Sequence, residues 1–504
     1  MTSPATPVDM TTPDNTYGTV SVGRPLVPAL ALPLVEWSEA EAALVSRLES
    51  VVESKRFGLQ LRDSYYRGTV RIQDLGISIP PQMRQLHTAL GWPRVCVDAL
   101  DERLNVEGFR FPDSNDVDTD LQAIWQRSGM DSESQLGHMD SLIFGAGFAA
   151  VGTDDDDQPL ITVESPLDIG VEWDARTRTM KAALRLFGVQ GSRQATLYLP
   201  DQTVYLEQTQ GGWTVVERDQ HRLGVTPLVR IANRPRSYDR NGASEITPEI
   251  MSITDAACRT LQGLEVAREF YSAPQRYILG ADESAFQDAQ GNQKSGWETY
   301  MGRVLALERS ADGDVPTVGQ FTPYDPSTFT KVIDMYAKII SSITGLPPHV
   351  LGYTTDNPAS ADAIRSTEMR LKLKADRKTK MFGESWRDVM KLALLIRDGS
   401  VPDNADAIST VWADTATPTP AATTDSIFKQ IQSGYLPATS DVTGEKLGYT
   451  AVERQRIEID RAKDQGNSFL QQISHSLEAK AARVDKSLTN DLAPKPANGT
   501  PPAV

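Results

Sequence analysis

The strongest constraint on the fold is a long run of helix-forming sequence that one short polar loop interrupts. A first helix is predicted from Asp325-Pro326 to Gly345, where Gly345 and Pro347 stop it. A second, much longer helix is predicted from about Ala361 to Arg397. Its apolar residues recur at helical spacing and predict one buried stripe: Ile364, Leu371, Ala375, Phe382, Trp386, Val389, Ala393 and Ile396. Two stiff helices around a small loop predict a mechanical element that holds the loop out from the body.

Length and charge limit the class of protein. A chain of 504 residues is too long for one hydrophobic core, so two or more structural units are expected. The formal net charge of −16 argues against tight binding of DNA, because affinity for phosphate comes from Lys and Arg. No apolar run reaches the length of a membrane span, and no signal peptide is expected. The two cysteines, Cys96 and Cys258, suit a reducing compartment and cannot form a disulfide framework.

The remaining periodicity predicts an α+β chain that is predominantly helical. Ser38-Glu39-Ala40-Glu41 is a capping box that starts the first helix. From Gly147 to about Ile231 the period changes to two, which predicts short antiparallel strands. Thr247-Pro248-Glu249 then starts another helix, which Pro274 ends. Composition predicts disordered segments at residues 1–33 and 486–504.

No arrangement of residues in the sequence predicts catalysis. The five histidines are scattered, and the common nucleotide-binding, hydrolase and metalloprotease motifs are absent. Gly145 to Gly152 has the glycines of a dinucleotide loop, but a helix precedes it and a strand follows, which favours a helix-to-strand turn. Asp154-Asp155-Asp156-Asp157 could bind a divalent cation, although a solvated hairpin tip is favoured. We therefore expect no catalytic residue, no metal and no cofactor.

Two groups of polar residues are candidates for binding. The loop has short, mostly uncharged side chains that would touch a phosphate backbone weakly: Tyr353, Thr354, Thr355, Asp356, Asn357, Pro358, Ala359 and Ser360. The start of the long helix carries a basic cluster: Arg365, Arg370, Lys372, Lys374, Arg377, Lys378 and Lys380. The cluster is either a solvated helix face or a contact with phosphate or an acidic neighbouring subunit.

Four short segments resemble a known family. They are Ser244 to Glu249, Ala273 to Arg276, Ile343 to Gly352 and Asn357 to Ile364. Over about residues 36–470 the chain resembles the portal proteins of tailed bacteriophages, of the type found with long non-contractile tails. Such proteins form a ring at one capsid vertex, through which double-stranded DNA is packaged, retained and ejected.

The resemblance implies a set of subdomains. They are a wing at 34–240 joined by 361–415, stem helices at 247–272 and 326–344, a clip at 273–325, a tunnel loop at 345–360, a long spine helix at 361–398, and a crown at 416–485. Residues 353–360 would face the DNA, and the basic cluster would lie at subunit contacts or at one channel girdle. Two further helices are expected in the crown, at 425–433 and 450–465.

The resemblance also implies partners. They are a homo-oligomeric ring of about twelve subunits, transiently bound double-stranded DNA, the terminase large subunit, the major capsid protein and scaffold, and the head–tail adaptor, with no membrane. The protein would lie at the portal vertex of the virion after assembly in the host cytoplasm, without enzymatic activity. Two alternatives remain open at this point: another phage head structural protein, or a soluble hydrolase or transferase.

Overall fold

The computed structural model describes residues 38–70, 88–113, 117–189, 192–271, 276–279, 317–320, 325–352, 361–416, 420–449, 453–463 and 471. The predicted arm, the loop at 353–360, the C-terminal tail and most of the predicted clip lie outside these residues. The chain divides after Thr415 into two compact units. Helices and antiparallel sheets both occur, which confirms the α+β class. No helix in the described ranges is long and apolar enough to cross a membrane.

The first unit contains seven helices and twelve strands among its described residues. The helices are α1 (Glu39–Arg67), α2 (Trp92–Asp101), α3 (Thr119–Arg127), α4 (Met130–Phe144), α5 (Pro248–Tyr271), α6 (Ser327–Thr344) and α7 (Ala361–Asp398). The strands are β1 (Val106–Arg110), β2 (Ala146–Thr153), β3 (Pro159–Glu164), β4 (Ile169–Trp173), β5 (Met180–Val189), β6 (Ser192–Tyr198), β7 (Thr203–Thr209), β8 (Gly212–Asp219), β9 (Leu228–Ala232), β10 (Arg276–Leu279), β11 (Thr317–Gln320) and β12 (Ser409–Trp412). Short 3₁₀ helices occupy Pro348–Leu351 and Ala405–Ala407.

Helix α1 begins and ends as its sequence predicts. The Ser38 hydroxyl accepts the Glu41 amide at 3.2 Å, and the Glu41 carboxylate accepts the Ser38 amide at 3.1 Å, which completes the capping box. Gly68 ends the helix in the left-handed conformation, with φ +69°. Val45, Leu48 and Val52 bury one face of α1 against the largest sheet.

The strands form four antiparallel sheets. The largest has the order β4-β5-β6-β7-β8, and a second has the order β3-β2-β9. Two small sheets pair β1 with β12 and β10 with β11. The Asp154 carboxylate accepts the Asp156 and Gln158 amides at 2.9 and 2.8 Å in the β2–β3 turn, so the acidic run is a hairpin tip. Gly145, between α4 and β2, forms the predicted helix-to-strand turn.

The core of the first unit is built around the second half of α7. The predicted stripe is buried at Leu371, Ala375, Phe382, Trp386, Val389 and Ala393. Trp386 donates its Nε1 hydrogen to His138 Nε2 at 2.8 Å, and the His138 ring stacks on Phe382 at 5.2 Å. Burial lowers the pKa of His138 to about 3, so this histidine is a neutral core residue.

The second unit contains two short helices among its described residues, α8 (Pro420–Gln432) and α9 (Asp441–Lys446), and a helical segment at 453–463. Ile427 and Leu436 are its buried apolar side chains in that part of the chain. The helix predicted at 425–433 therefore begins earlier, and residues 453–463 lie inside the helix predicted at 450–465.

Candidate functional site

The site is assembled at the junction of α5, α6 and α7. Helices α5 and α6 pack against each other, and a Cβ at Gly263 of α5 would lie 3.3 Å from the Phe329 ring of α6. One edge of α6 is apolar but uncovered: Met335, Ile339 and Ile343 recur every four residues and are 48%, 39% and 42% exposed. Three apolar side chains on one edge of a helix are a candidate surface for a partner.

A compact turn ends α6. Gly345 adopts a left-handed conformation with φ +73°, and its amide bonds the Ser341 carbonyl at 2.8 Å. The Ser341 hydroxyl donates to the Leu346 carbonyl at 2.6 Å, and the Leu346 amide donates to the Thr344 hydroxyl at 3.2 Å. These local bonds, together with buried Leu346, fix the backbone that leads toward residues 353–360.

Two cations from α7 hold the carbonyl end of α6. Arg370 Nη1 donates to the Ser342 carbonyl at 3.1 Å, and Lys374 Nζ donates to the Thr344 carbonyl. The last carbonyls of a helix lack partners within the helix and carry the negative end of its dipole. Arg370 and Lys374 therefore stabilise the end of α6 and attach it to α7.

The next cation along the same side of α7 reaches a different segment. Lys378 is only 3% exposed, and its ammonium donates to Glu245 Oε1 at 2.6 Å and to Asn233 Oδ1 at 2.5 Å. Burial opposes ionisation of Glu245, but the bonded Lys378 ammonium outweighs it and holds the pKa of this carboxyl below its usual range. We call Arg370, Lys374 and Lys378 the cation stripe. It joins α7 to the end of α6 and to the segment before α5.

The predicted basic cluster is thus divided between two kinds of position. Lys372 pairs with Asp376 at 3.1 Å and donates to the Thr415 hydroxyl at 3.2 Å. Arg377 and Lys380 are exposed on α7 and form no ion pair with another described residue. The Arg365 side chain and the loop residues 353–360 lie outside the described part of the chain.

The spacing of the cation stripe is visible in the sequence. The three cations recur at intervals of four, which places them on successive turns of one side of α7. Glu245, the acidic partner of Lys378, belongs to the segment Ser244 to Glu249, which carries part of the family resemblance. No group of three or more His, Cys, Asp or Glu side chains among the described residues could hold a metal ion.

Comparisons with known proteins cover the whole junction. Residues 52–465 match the family described as "Phage portal protein, SPP1 Gp6-like". The portal protein of Mycobacterium phage D29 is 34% identical over 442 residues, which cover 85% of this chain and 90% of that protein. The portal protein of Mycobacterium phage L5 is 36% identical over 439 residues, 84% of this chain and 89% of that protein. The matched range includes α5, α6, α7 and the cation stripe.

Proposed function

The chain belongs to the SPP1 Gp6-like family of phage portal proteins, and from this premise we propose how its parts build the channel. A phage portal protein is a structural component of the capsid that acts as an oligomeric ring. In our proposal, about twelve copies close around double-stranded DNA. The α5–α6 pair supplies the stem, α7 the spine, and the body from α1 to β9, together with β12, the wing.

The uncovered edge of α6 is the observation that supports this arrangement most directly. A ring is built from identical heterologous contacts that close on themselves, so each subunit offers its neighbour a fitting surface, and the buried centre of such a surface is mostly apolar. Met335, Ile339 and Ile343 provide such a surface on a helix that the cation stripe holds in place. The neighbouring subunit would cover this edge in the ring.

Replacing Ile339 with Lys tests the role of the α6 edge. We expect most of the ring to be lost, because a charge in the contact must be desolvated without a partner. Thr328→Lys, at an exposed position on the same helix, is the matched control and should leave the ring intact. Native mass spectrometry of both variants gives the result. Rings of normal mass from Ile339→Lys would remove α6 from the subunit contact.

We assign residues 353–360 to the DNA-facing tunnel loop. The compact turn at the end of α6 and the cation stripe hold the backbone as far as Leu346, and the short polar side chains of residues 353–360 suit weak contact with a moving phosphate backbone. Asp356→Lys or Asn357→Lys should impair packaging or genome retention more than ring formation. Asp155→Lys, at the exposed hairpin tip, is a control for the change in charge. Failure of ring formation with normal packaging in surviving particles would contradict the assignment.

The remaining parts are assigned by their order in the chain. The β10–β11 pair lies between α5 and α6 in sequence and belongs to the clip, which would meet the terminase large subunit and later the head–tail adaptor. Residues 416–485 would form the crown. The major capsid protein and scaffold would surround the ring during assembly in the host cytoplasm. The energy for DNA movement would come from a partner ATPase, and this chain would have no enzymatic activity.

A further inference from the structure

A second basic feature of the chain lies outside α7. The loop from Arg234 to Asn241 reads Arg-Pro-Arg-Ser-Tyr-Asp-Arg-Asn, with three arginines and one acid, in a chain whose net charge is −16. All three arginines are exposed, and Tyr238 is 96% exposed. We call this segment the arginine loop. An aromatic side chain so fully exposed contributes nothing to the packing of its own subunit.

The arginine loop stands on a rigid base. Asn233 is fully buried, and its amide donates to the Gly145 carbonyl at 2.8 Å, while the Ala243 amide donates to the Asn233 carbonyl at 2.7 Å. Lys378 holds the Asn233 side chain from α7. Gly242 has φ +92°, and a Cβ there would lie 2.0 Å from the Gly145 carbonyl oxygen. Hydrogen bonds and close packing thus hold the two ends of the loop together, which restricts the positions that the loop can occupy.

The charges of the arginine loop are left largely unneutralised. The Asp239 carboxylate accepts the Asn241 amide at 3.0 Å and so helps to shape the loop. Arg236 and Arg240 form no ion pair with any residue that the structure describes. Arg234 lies 3.6 Å from Glu245, whose carboxylate Lys378 already binds at 2.6 Å.

Further cations lie close to the arginine loop. Burial and the nearby Arg240 lower the pKa of Arg230 to about 10, so two guanidinium groups share one region despite their repulsion. Burial and the charge of Arg230 also lower the pKa of Lys55. The charge of Asp239 opposes the lowering of both pKa values and so offsets part of this positive charge, and the remaining excess of cations attracts an anionic partner.

The composition of the arginine loop favours a protein partner over DNA. Arg and Tyr dominate the energetically important positions of protein interfaces. A duplex offers no unstacked base for Tyr238, and three phosphate-binding arginines would slow a DNA that must slide. A second copy of the chain is itself an anionic partner, since the chain has 67 Asp and Glu against 51 Lys and Arg.

We propose that the arginine loop docks on an acidic surface of the neighbouring copy in the portal ring. The proposal rests on the proposed ring and names one of its contacts. Complementary charge would fix the register of the contact and speed the encounter of subunits, while α6 contributes the apolar part.

Reversal of charge tests the docking. In Arg236→Glu/Arg240→Glu, ring assembly at low salt should weaken at least tenfold, because the loop then repels an acidic surface. The matched control is Arg176→Glu/Arg178→Glu, which makes the same change in charge at another exposed turn and should assemble normally. Circular dichroism establishes that both variants fold. Normal rings from the loop variant would overturn the proposal. If the same variant also bound linear duplex DNA more weakly, DNA would be the partner of the arginine loop.

A photochemical cross-link identifies the partner directly. Tyr238 is replaced by p-benzoylphenylalanine in the full chain, and purified rings are irradiated. We expect covalent dimers of this chain, with the cross-link in a peptide rich in Asp and Glu. Adducts confined to one chain would overturn the proposal. If the unmodified chain forms no ring at all, the proposed function itself fails, which is a different outcome from intact rings without the cross-link.

Discussion

At the scale of single residues, the buried ion pair between Lys378 and Glu245 is the most informative feature. Lys378 belongs to a cluster that was predicted to be a solvated helix face or a contact with phosphate or a neighbouring subunit, but its ammonium is enclosed by Glu245 and Asn233 of its own chain. Two buried charges are tolerated only while both are present, because each neutralises the other. The pair therefore fixes the segment before α5 to α7.

Lys378→Met should lower the free energy of unfolding by about 3–5 kcal/mol, because buried Glu245 loses its hydrogen-bonded cation and keeps only the half-exposed Arg234 at 3.6 Å. Adding Glu245→Gln should recover much of this loss, since the uncompensated charge is then gone. Chemical denaturation of the full chain measures both effects. A loss below about 1 kcal/mol in Lys378→Met would contradict this role and would show that Arg234 or water is enough to neutralise Glu245.

His138 should make the stability of the folded protein depend on pH. Its pKa is about 3 when folded and about 6.5 when unfolded, so below about pH 6.5 the unfolded chain binds a proton that the folded chain does not. This residue therefore reduces stability as pH falls from about 6.5 toward 3, by roughly 1.4 kcal/mol per pH unit. Asp140, whose pKa burial raises to about 7, acts in the opposite direction.

The contribution of His138 is isolated by comparison with His138→Gln, which keeps an acceptor for Trp386. Denaturation of both proteins between pH 6.5 and 4.5 should show a stability difference that shifts in favour of the variant as pH falls, since Asp140 is common to both. A stability difference that does not change with pH would contradict this prediction, because it would mean that His138 binds a proton as readily in the folded protein as in the unfolded chain.

At the scale of elements, the junction of α5, α6 and α7 combines a packed core with one uncovered edge. The cation stripe uses one side of α7 to hold the end of α6, while Met335, Ile339 and Ile343 face outward. The end of α6 is thus rigid inside the subunit and its apolar edge is free for a neighbour. This combination suits the stem role that we propose for α5 and α6, in which the helices must keep their angle in the ring.

The double change Arg370→Met/Lys374→Met tests the role of these cations at the end of α6. Without them the carbonyls of Ser342 and Thr344 lose their partners, so the last turn should open more often. Hydrogen exchange of the amides at 340–346 should quicken by tenfold or more. Arg377→Met/Lys380→Met removes two exposed cations from the same helix and should leave this exchange unchanged. Equal rates in the two variants would contradict the role of the stripe.

Much of the element structure could be predicted from sequence because local rules decide it. The capping box at Ser38, the glycine stops at Gly68 and Gly345, and the stripe of α7 follow from spacing alone. Strand β1 was missed, because its five residues lack alternation and it is paired only with β12, about 300 residues later in the chain. The sequence also did not predict which cations of the basic cluster are buried and which are exposed. Burial of Lys378 depends on contacts with Glu245 and Asn233, which lie in segments far from it in the sequence.

At the scale of the whole molecule, the net negative charge of the chain and the arrangement of α5, α6 and α7 support the proposed ring through which DNA passes. A net charge of −16 limits the affinity for a passing duplex, and four of the seven clustered cations are engaged within the subunit. The exposed cations of the arginine loop and the apolar edge of α6 are then available to join neighbouring copies. On this account, each subunit is built to contact neighbouring copies of the chain more strongly than it contacts DNA.

Cryo-electron microscopy of the purified full-length protein, viewed end-on, tests the central claim most directly. The account predicts a closed ring of about twelve subunits around an open channel wide enough for double-stranded DNA, with residues 353–360 lining it and the edge of α6 covered by the neighbouring copy. A compact monomer, with residues 353–360 packed inside it, would contradict the account.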